Sequence, residues 1–182
     1  DIMRATTAPV EGRELQEVGV VLRRAQEAVA NALQAKEIRW LEDVPADLPS
    51  VRVHGEAATC LFVSLLQNAV RFSPEGQVIE IGARCDRESE HVVVTIRDHG
   101  PGIPVEHRAK VFEPFFTTAV DGLGMGLFVA SRIADLQDIQ LSTENCTPNG
   151  AMFSVGIPIA PASEAATGEV STVERAEATP AA

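Results

Sequence analysis

Four short stretches of the sequence place polar, aromatic and glycine residues at spacings that could form a ligand site. In the first, SLLQNAVRFS, a helix would bring Ser64, Asn68, Arg71 and Phe72 onto one face. An amide, a guanidinium and an aromatic ring on one face are unusual for a stripe that only packs a core. A surface amide beside a core phenylalanine explains the same pattern, so this stretch alone leaves both roles open.

The second stretch, DHGPGIP, directly follows a run of alternating apolar residues. Gly100 and Gly102 permit positive φ and a close approach of a ligand to the backbone. Asp98, at the end of the predicted strand, is a strong acceptor that could bind an exocyclic amine such as adenine N6. Taken alone, this stretch is explained equally well by a plain turn.

The remaining two stretches are VFEPFFTT, with adjacent aromatic residues on a loop, and GLGMGLFVA. In the latter, Gly122, Gly124 and Gly126 lead directly into a predicted helix. Backbone N–H groups at a helix N-terminus, unobstructed by Cβ atoms, form a site suited to phosphate. The GxGxG spacing without an immediately preceding strand argues against a dinucleotide fingerprint, and a Walker-type loop would need a lysine after the last glycine.

Hydrophobic periodicity predicts the elements that position these stretches. Helices are expected over residues 14–36, 56–72 and 124–136, with a short helix after DHGPGIP. Strands are expected at residues 37–42 and in the segments QVIEIGARC, HVVVTIRD, IQLSTE and AMFSVGIP. This mixture indicates an α+β two-layer sandwich, with a mixed, mostly antiparallel sheet covered by helices on one face.

The 182 residues suit one ordinary domain with extensions. We expect a linker over residues 1–13, a folded domain over 14–160, and a disordered tail over 161–182, which is rich in Ala, Glu, Thr and Ser. The net charge of −11 argues against a nucleic-acid surface. Three cysteines without metal-type spacing indicate free thiols in a reducing compartment, and no apolar run approaches membrane-spanning length.

Together, the Asn-bearing helix, DxGxG, FxPF and GxGxG follow one another over about sixty residues. In this order they resemble the N, first-glycine, F and second-glycine boxes of the catalytic ATP-binding domain of sensor histidine kinases. That domain belongs to the ATPase superfamily of type II gyrases, mismatch-repair proteins and a heat-shock chaperone. The resemblance covers roughly residues 14–158 and implies a Bergerat-type fold, and FEPFFTT is especially characteristic of the histidine-kinase branch.

The resemblance implies roles in ATP binding for thirteen residues. Asn68 corresponds to an oxygen ligand of Mg²⁺, Arg71 to a basic residue near phosphate, and Phe72 to an aromatic residue beside adenine or ribose. Asp98 corresponds to the acid that recognises the adenine amine. The other positions form the wall beside the base, the lid and the phosphate cradle: Gly100, Gly102, Ile103, Gly122, Leu123, Gly124, Met125, Gly126 and Leu127.

Three departures from the family pattern bear on activity. Ser64 occupies a position where the wider superfamily often has a glutamate that activates water, so rapid ATP hydrolysis is not expected. Met152 is interpreted as replacing a threonine that helps to hold adenine through a water molecule, which would reduce affinity. The lid is short, and Ala119 stands where related short-lid kinases often have lysine.

The four histidines, His54, His91, His99 and His107, are interpreted as surface or loop residues, because none lies on the N-terminal helix beside an acid. No catalytic residue is therefore assigned within the chain. The resemblance implies a catalytic domain that presents the ATP γ-phosphate to a histidine on an upstream dimerisation domain, and a response regulator as downstream partner. The fragment is expected to be monomeric and cytoplasmic, within a longer homodimeric protein for which a membrane anchor stays open.

Two other functions stay open at this stage. The same fold serves stand-alone anti-sigma-type serine kinases, although FEPFFTT argues against that branch. A degenerate nucleotide-binding module kept for protein contacts is the other alternative, and Ser64, Met152 and the short lid give it weight.

Overall fold

The computed structural model describes residues 12–118 and 123–161 of the chain. The expected linker over residues 1–13 and tail over 161–182 therefore lie almost entirely outside the described residues, as do Ala119 and Gly122. The elements in chain order are β1 (Glu14–Gln16), α1 (Val18–Ala35), β2 (Arg39–Asp43), β3 (Val51–Val53), α2 (Gly55–Phe72), β4 (Val78–Asp86), β5 (His91–Arg97), α3 (Gly126–Gln137), β6 (Gln140–Asn145) and β7 (Ala151–Pro158).

Five of the strands form one sheet in the order β2-β4-β5-β7-β6. The β2–β4 pair is parallel, and the other three pairs are antiparallel. β1 and β3 form a separate two-stranded antiparallel ribbon. The predicted α+β class and the mixed, mostly antiparallel sheet are confirmed.

The helices cover one face of this sheet, and the alternation between buried apolar and partly exposed residues is clearest in its central strand β5. On β5, Val92, Val94 and Ile96 are fully buried, and their neighbours in sequence are not. α2 packs against both α1 and α3 and buries Leu61, Leu65, Leu66 and Ala69 completely. α2 lies between the other two helices, and the face opposite to its buried side is available to line a site. Among the described residues, no helix is both long and apolar enough to span a membrane.

The predicted helix over residues 14–36 begins later, at Val18, because Glu14–Gln16 pairs with Val51–Val53 instead. The predicted helix over 124–136 begins at Gly126, since Gly124 has φ +67°, which an α-helix does not accommodate.

The prediction of a short helix after DHGPGIP is wrong. Residues 104–115 form successive turns, in which the N–H groups of His107, Lys110 and Glu113 each donate to the carbonyl three residues earlier. Hydrogen bonds spaced in this way close separate turns, whereas an α-helix needs a continuous series of bonds to the fourth preceding residue.

The core location of α2 generates a stability prediction. Leu65→Ala removes a side chain with no exposed surface, and we expect it to lower the free energy of unfolding by about 2–5 kcal/mol. Leu41→Ala, at a leucine that is 58% exposed, is the matched control and should change it by less than about 0.5 kcal/mol. Urea unfolding followed by circular dichroism measures both, and equal effects would contradict the position of the core.

Candidate nucleotide site

A cavity of about 860 Å³ lies between α2, the end of β5, residues 102–118 and the start of α3. Its size is suitable for a ligand as large as a nucleotide. Of the thirteen residues predicted for the site, eleven line this cavity: Asn68, Arg71, Phe72, Asp98, Gly102, Ile103, Leu123, Gly124, Met125, Gly126 and Leu127. Gly122 lies outside the described residues, and Gly100 does not line the cavity but lies against the Phe72 carbonyl.

α2 presents Ser64, Asn68 and Arg71 to the cavity at helical spacing, while its apolar face is buried in the core. The helix ends at Phe72, and Ser73 is extended with ψ 136° ahead of Pro74. Within the described part of the chain, the Arg71 guanidinium has no hydrogen bond or ion pair. It is therefore available to an anion in the cavity.

Asp98 is 3% exposed and is held by backbone groups on both sides. Its Oδ1 accepts hydrogen bonds from the N–H groups of Gly100, at 2.9 Å, and Ala151, at 3.1 Å. Burial raises the pKa of this carboxyl, and the two N–H donors partly oppose the shift. Among the described residues Oδ2 has no partner, so it can accept a hydrogen bond from a ligand in the cavity.

Two glycines allow the backbone segments around Asp98 to approach one another. A Cβ on Gly100 would lie 2.5 Å from the carbonyl oxygen of Phe72 at the end of α2. Gly150 has φ +99°, and a Cβ there would lie 2.0 Å from the carbonyl oxygen of Asp98. Gly150 was not among the predicted site residues, although the dipeptide Asn149-Gly150 before a strand is a recognisable turn signal.

The start of α3 offers a second polar feature to the cavity. The N-cap residue Met125 makes no side-chain cap hydrogen bond, and Gly124, Met125 and Gly126 all line the cavity. The first N–H groups of a helix have no partner within the helix and carry its positive dipole end. This end of the cavity therefore suits an anion, in agreement with the interpretation of the glycine-rich stretch.

The interpretation of Met152 is wrong. Strand β7 alternates, so that Ala151 and Phe153 face the helices, whereas Met152 lies beside Arg97 on the opposite face of the sheet. Ala151 lines the cavity in its place and offers only a methyl group. A shift of one residue along a strand reverses the face, and the sequence motif alone did not fix that register.

Several lining residues were not predicted for the site: Lys36, Gln67, His107, Phe116, Thr117 and Thr118. His107 lies in the turns of residues 104–115, in agreement with its interpretation as a surface or loop residue, and its ring packs edge-on against Phe116, with ring centroids 5.3 Å apart. Phe116, Thr117 and Thr118 belong to the quoted FFTT segment, which indicated this position without assigning roles. Asp98 is the single carboxylate among the described residues that line the cavity.

The raised pKa of Asp98 generates a pH prediction. Because the folded-state pKa lies above the unfolded value near 3.8, the fold favours the protonated form, and this contribution is lost as pH rises through the folded-state pKa. Asp98→Asn keeps an oxygen for both N–H donors and carries no charge. We expect the variant to be more stable than wild type at neutral pH, with the difference shrinking as the pH falls towards 3.8.

Urea unfolding at a series of pH values measures this difference. Asp47→Asn is the control, since Asp47 is exposed and its side chain has no ion pair or hydrogen bond among the described residues, and this variant should follow the wild-type profile. A constant difference between Asp98→Asn and wild type at all pH values would contradict the raised pKa.

Comparisons with known proteins agree with this geometry. The solved catalytic domain of the histidine kinase ThkA superposes with a TM-score of 0.73 at 26% identity, covering 81% of this chain and 95% of that domain. Full-length ShkA, solved in complex with AMPPNP, gives a TM-score of 0.74 at 25% identity, covering 86% of this chain and 33% of ShkA.

Among curated relatives, the adaptive-response sensory kinase SasA of Thermosynechococcus vestitus is 29% identical over 167 residues, or 87% of this chain. The chain spans 44% of the length of that relative. Residues 53–161 match the family described as histidine kinase-, DNA gyrase B-, and HSP90-like ATPase. The chain therefore belongs to this ATPase family.

Proposed function

We propose that the chain is the ATP-binding catalytic domain of a two-component sensor histidine kinase. One observation carries the proposal: a single cavity combines the buried carboxylate of Asp98 with the N-terminal end of α3, where Met125 makes no side-chain cap hydrogen bond. The carboxylate suits the amine of adenine, and the helix N-terminus suits the phosphates. The proposed domain comprises residues 14–160.

At the base, the free Oδ2 of Asp98 accepts the hydrogen bond from the N6 amine of adenine. The wall beside the base includes Gly102 and Ile103, and Phe72 lies on the α2 side. Ile103 is fixed by Asn145, whose amide accepts from its N–H at 2.8 Å and donates to its carbonyl at 2.9 Å. Guanine has a carbonyl oxygen where adenine has its amine, so the carboxylate would repel it.

At the phosphates, Arg71 supplies a positive charge, and the N–H groups at the start of α3 supply the positive end of the helix dipole. The described residues hold no group of three His, Cys, Asp or Glu that could bind a metal ion by itself. Mg²⁺ commonly takes one or two protein oxygens together with phosphate oxygens and water, and the side-chain oxygen of Asn68 fits that requirement. When bound, the ion would neutralise phosphate charge.

The chain's contribution to the reaction is positioning. Ser64 lines the cavity where a water-activating acid would be needed, and its hydroxyl donates to the Cys60 carbonyl at 3.0 Å. In the proposed reaction a histidine nitrogen of an upstream dimerisation domain attacks the γ-phosphorus, the bond to the bridging oxygen breaks, and ADP leaves. A response regulator would then accept the phosphoryl group. The longer protein would act as a homodimer whose catalytic domain lies in the cytoplasm, where ATP is available.

The relatives and solved structures described above are sensory or histidine kinases. This favours the histidine kinase over a stand-alone anti-sigma-type serine kinase. A degenerate interaction module differs from both in one measurable respect, because it would not bind Mg·ATP.

Replacement of Asp98 tests the base contact. We expect Asp98→Asn to weaken ATP binding by more than about tenfold, because the amine of adenine loses its charged acceptor. Isothermal titration calorimetry with Mg·ATP measures the affinity, and Asp135→Asn on the exposed face of α3 should bind like wild type. Unchanged affinity in Asp98→Asn would refute the adenine role, and no binding of millimolar Mg·ATP by wild type would refute the kinase proposal.

Replacement of Asn68 tests the metal contact. Wild-type protein should bind ATP more weakly when EDTA replaces Mg²⁺, whereas Asn68→Ala should bind with the same affinity in both buffers. Asn31→Ala, at an exposed position of α1, is the matched control and should keep the wild-type dependence. If metal dependence survives in Asn68→Ala, Asn68 is not the ligand.

A further inference from the structure

Lys36 makes an unusual set of contacts at the edge of the cavity. It follows the last residue of α1, and its Nζ donates to the carbonyl oxygens of Val70 at 2.9 Å, Arg71 at 2.8 Å and Ser73 at 2.9 Å. Val70 and Arg71 belong to the last turn of α2, and Ser73 is its C-cap residue. The side chain also lines the cavity, where a lysine would ordinarily be interpreted as a phosphate ligand.

The hydrogen bonds that the Lys36 ammonium group already makes argue against a role as a phosphate ligand. An ammonium group has three N–H donors and no acceptor, and all three donors of Lys36 are used within the protein. A bond to phosphate would break one of them and leave a helix carbonyl without its partner. The guanidinium of Arg71 has no such partners among the described residues. Arg71 therefore has donors left for a phosphate, whereas Lys36 has none.

The carbonyls that Lys36 binds have a direct structural consequence for the site. The last four carbonyls of a helix lack intrahelical donors and carry the negative end of its dipole, so a cation there stabilises the final turn. That turn carries Arg71 and Phe72, and the Phe72 carbonyl abuts Gly100, where a Cβ would lie 2.5 Å from its oxygen. The carbonyl of Lys36 also accepts from the N–H of Gly76 at 2.9 Å, which fixes the following turn.

We propose that Lys36 is a positioning residue of the nucleotide site, which sets the end of α2 against the Asp98–Gly100 loop without contacting the nucleotide. This inference rests on the proposed function. It predicts that the loss of Lys36 alters the part of the cavity shared by all adenine nucleotides. A phosphate ligand would instead contribute in proportion to the number of phosphates.

Affinities of Lys36→Met for ATP, ADP and AMP distinguish the two roles. We expect all three to weaken by the same factor, roughly tenfold, at both low and high salt, because the geometry of the base site is disturbed. Lys36→Arg should recover part of the loss, since a guanidinium can also donate to several carbonyls. Arg24→Met, at an exposed cation of α1 that does not line the cavity, is the control and should bind like wild type.

A loss that grows from AMP to ATP and diminishes with salt would overturn the proposal, as would unchanged affinities. The titrations are made well below the midpoint of thermal unfolding of each variant, so that a global loss of stability does not affect the measured affinities. If wild type binds none of the three nucleotides, the proposed function fails instead.

Acylation of the wild-type protein tests the proposal even if Lys36→Met does not fold. Lys36 and Lys110 are the only lysines of the sequence, so peptide mapping after treatment with an N-hydroxysuccinimide ester reports on each separately. Without nucleotide, Lys36 should react at least about tenfold more slowly than Lys110, because its nitrogen is held by three acceptors. A Lys36 that reacts as fast as Lys110 and is protected only by Mg·ATP would be a phosphate ligand and would overturn the proposal.

Discussion

The arrangement of the site depends on one oxygen atom, the Oδ1 of Asp98. It accepts from the N–H groups of Gly100 and Ala151, while the N–H of Asp98 donates to the Ala151 carbonyl at 2.9 Å. A buried carboxylate is costly to desolvate, and these donors offset that cost. The same bonds join the end of β5, the glycine loop and the start of β7, so a single group organises the wall of the cavity and leaves its second oxygen for a ligand.

The wall of the cavity formed by α2 is held more firmly than the wall formed by residues 104–116. α2 is packed between two helices, and its last turn is fixed by Lys36 and by contact with Gly100. In residues 104–116 the backbone N–H groups of His107, Lys110, Glu113 and Phe116 close separate turns, and Phe115 is 76% exposed. Separate turns are less cooperative than a helix packed between two others, so this segment is held less firmly than α2. Recognition of the base thus falls on the rigid side of the cavity.

Sequence patterns predicted the parts of the molecule that depend on local periodicity. The alternation in β4 and β5 and the polar face of α2 follow from local periodicity, and eleven of the thirteen residues assigned from the family resemblance line one cavity. The role given to Met152 came from the resemblance, whereas alternation along β7 puts Ala151 on the buried face with Phe153 and Met152 on the other face. The start of α1 could not be predicted from the sequence. Leu15 continues the helical spacing of α1, although it lies in β1, which pairs with β3. The Lys36 contacts join residues 34 to 37 positions apart and have no local signature.

The scarcity of acids in the cavity has a consequence for the proposed kinase. Asp98 is the single carboxylate among its described lining residues, and its buried oxygens are engaged by backbone donors and, in the proposal, by adenine. No carboxylate of α2 lines the cavity to draw a proton from water, and the hydroxyl of Ser64 is bound to its own helix. Among the described residues, α2 therefore offers no base to activate water, and in the proposed kinase the phosphoryl group is transferred to a nucleophile that another domain supplies. The groups of α2 that line the cavity are then left to bind and orient the nucleotide.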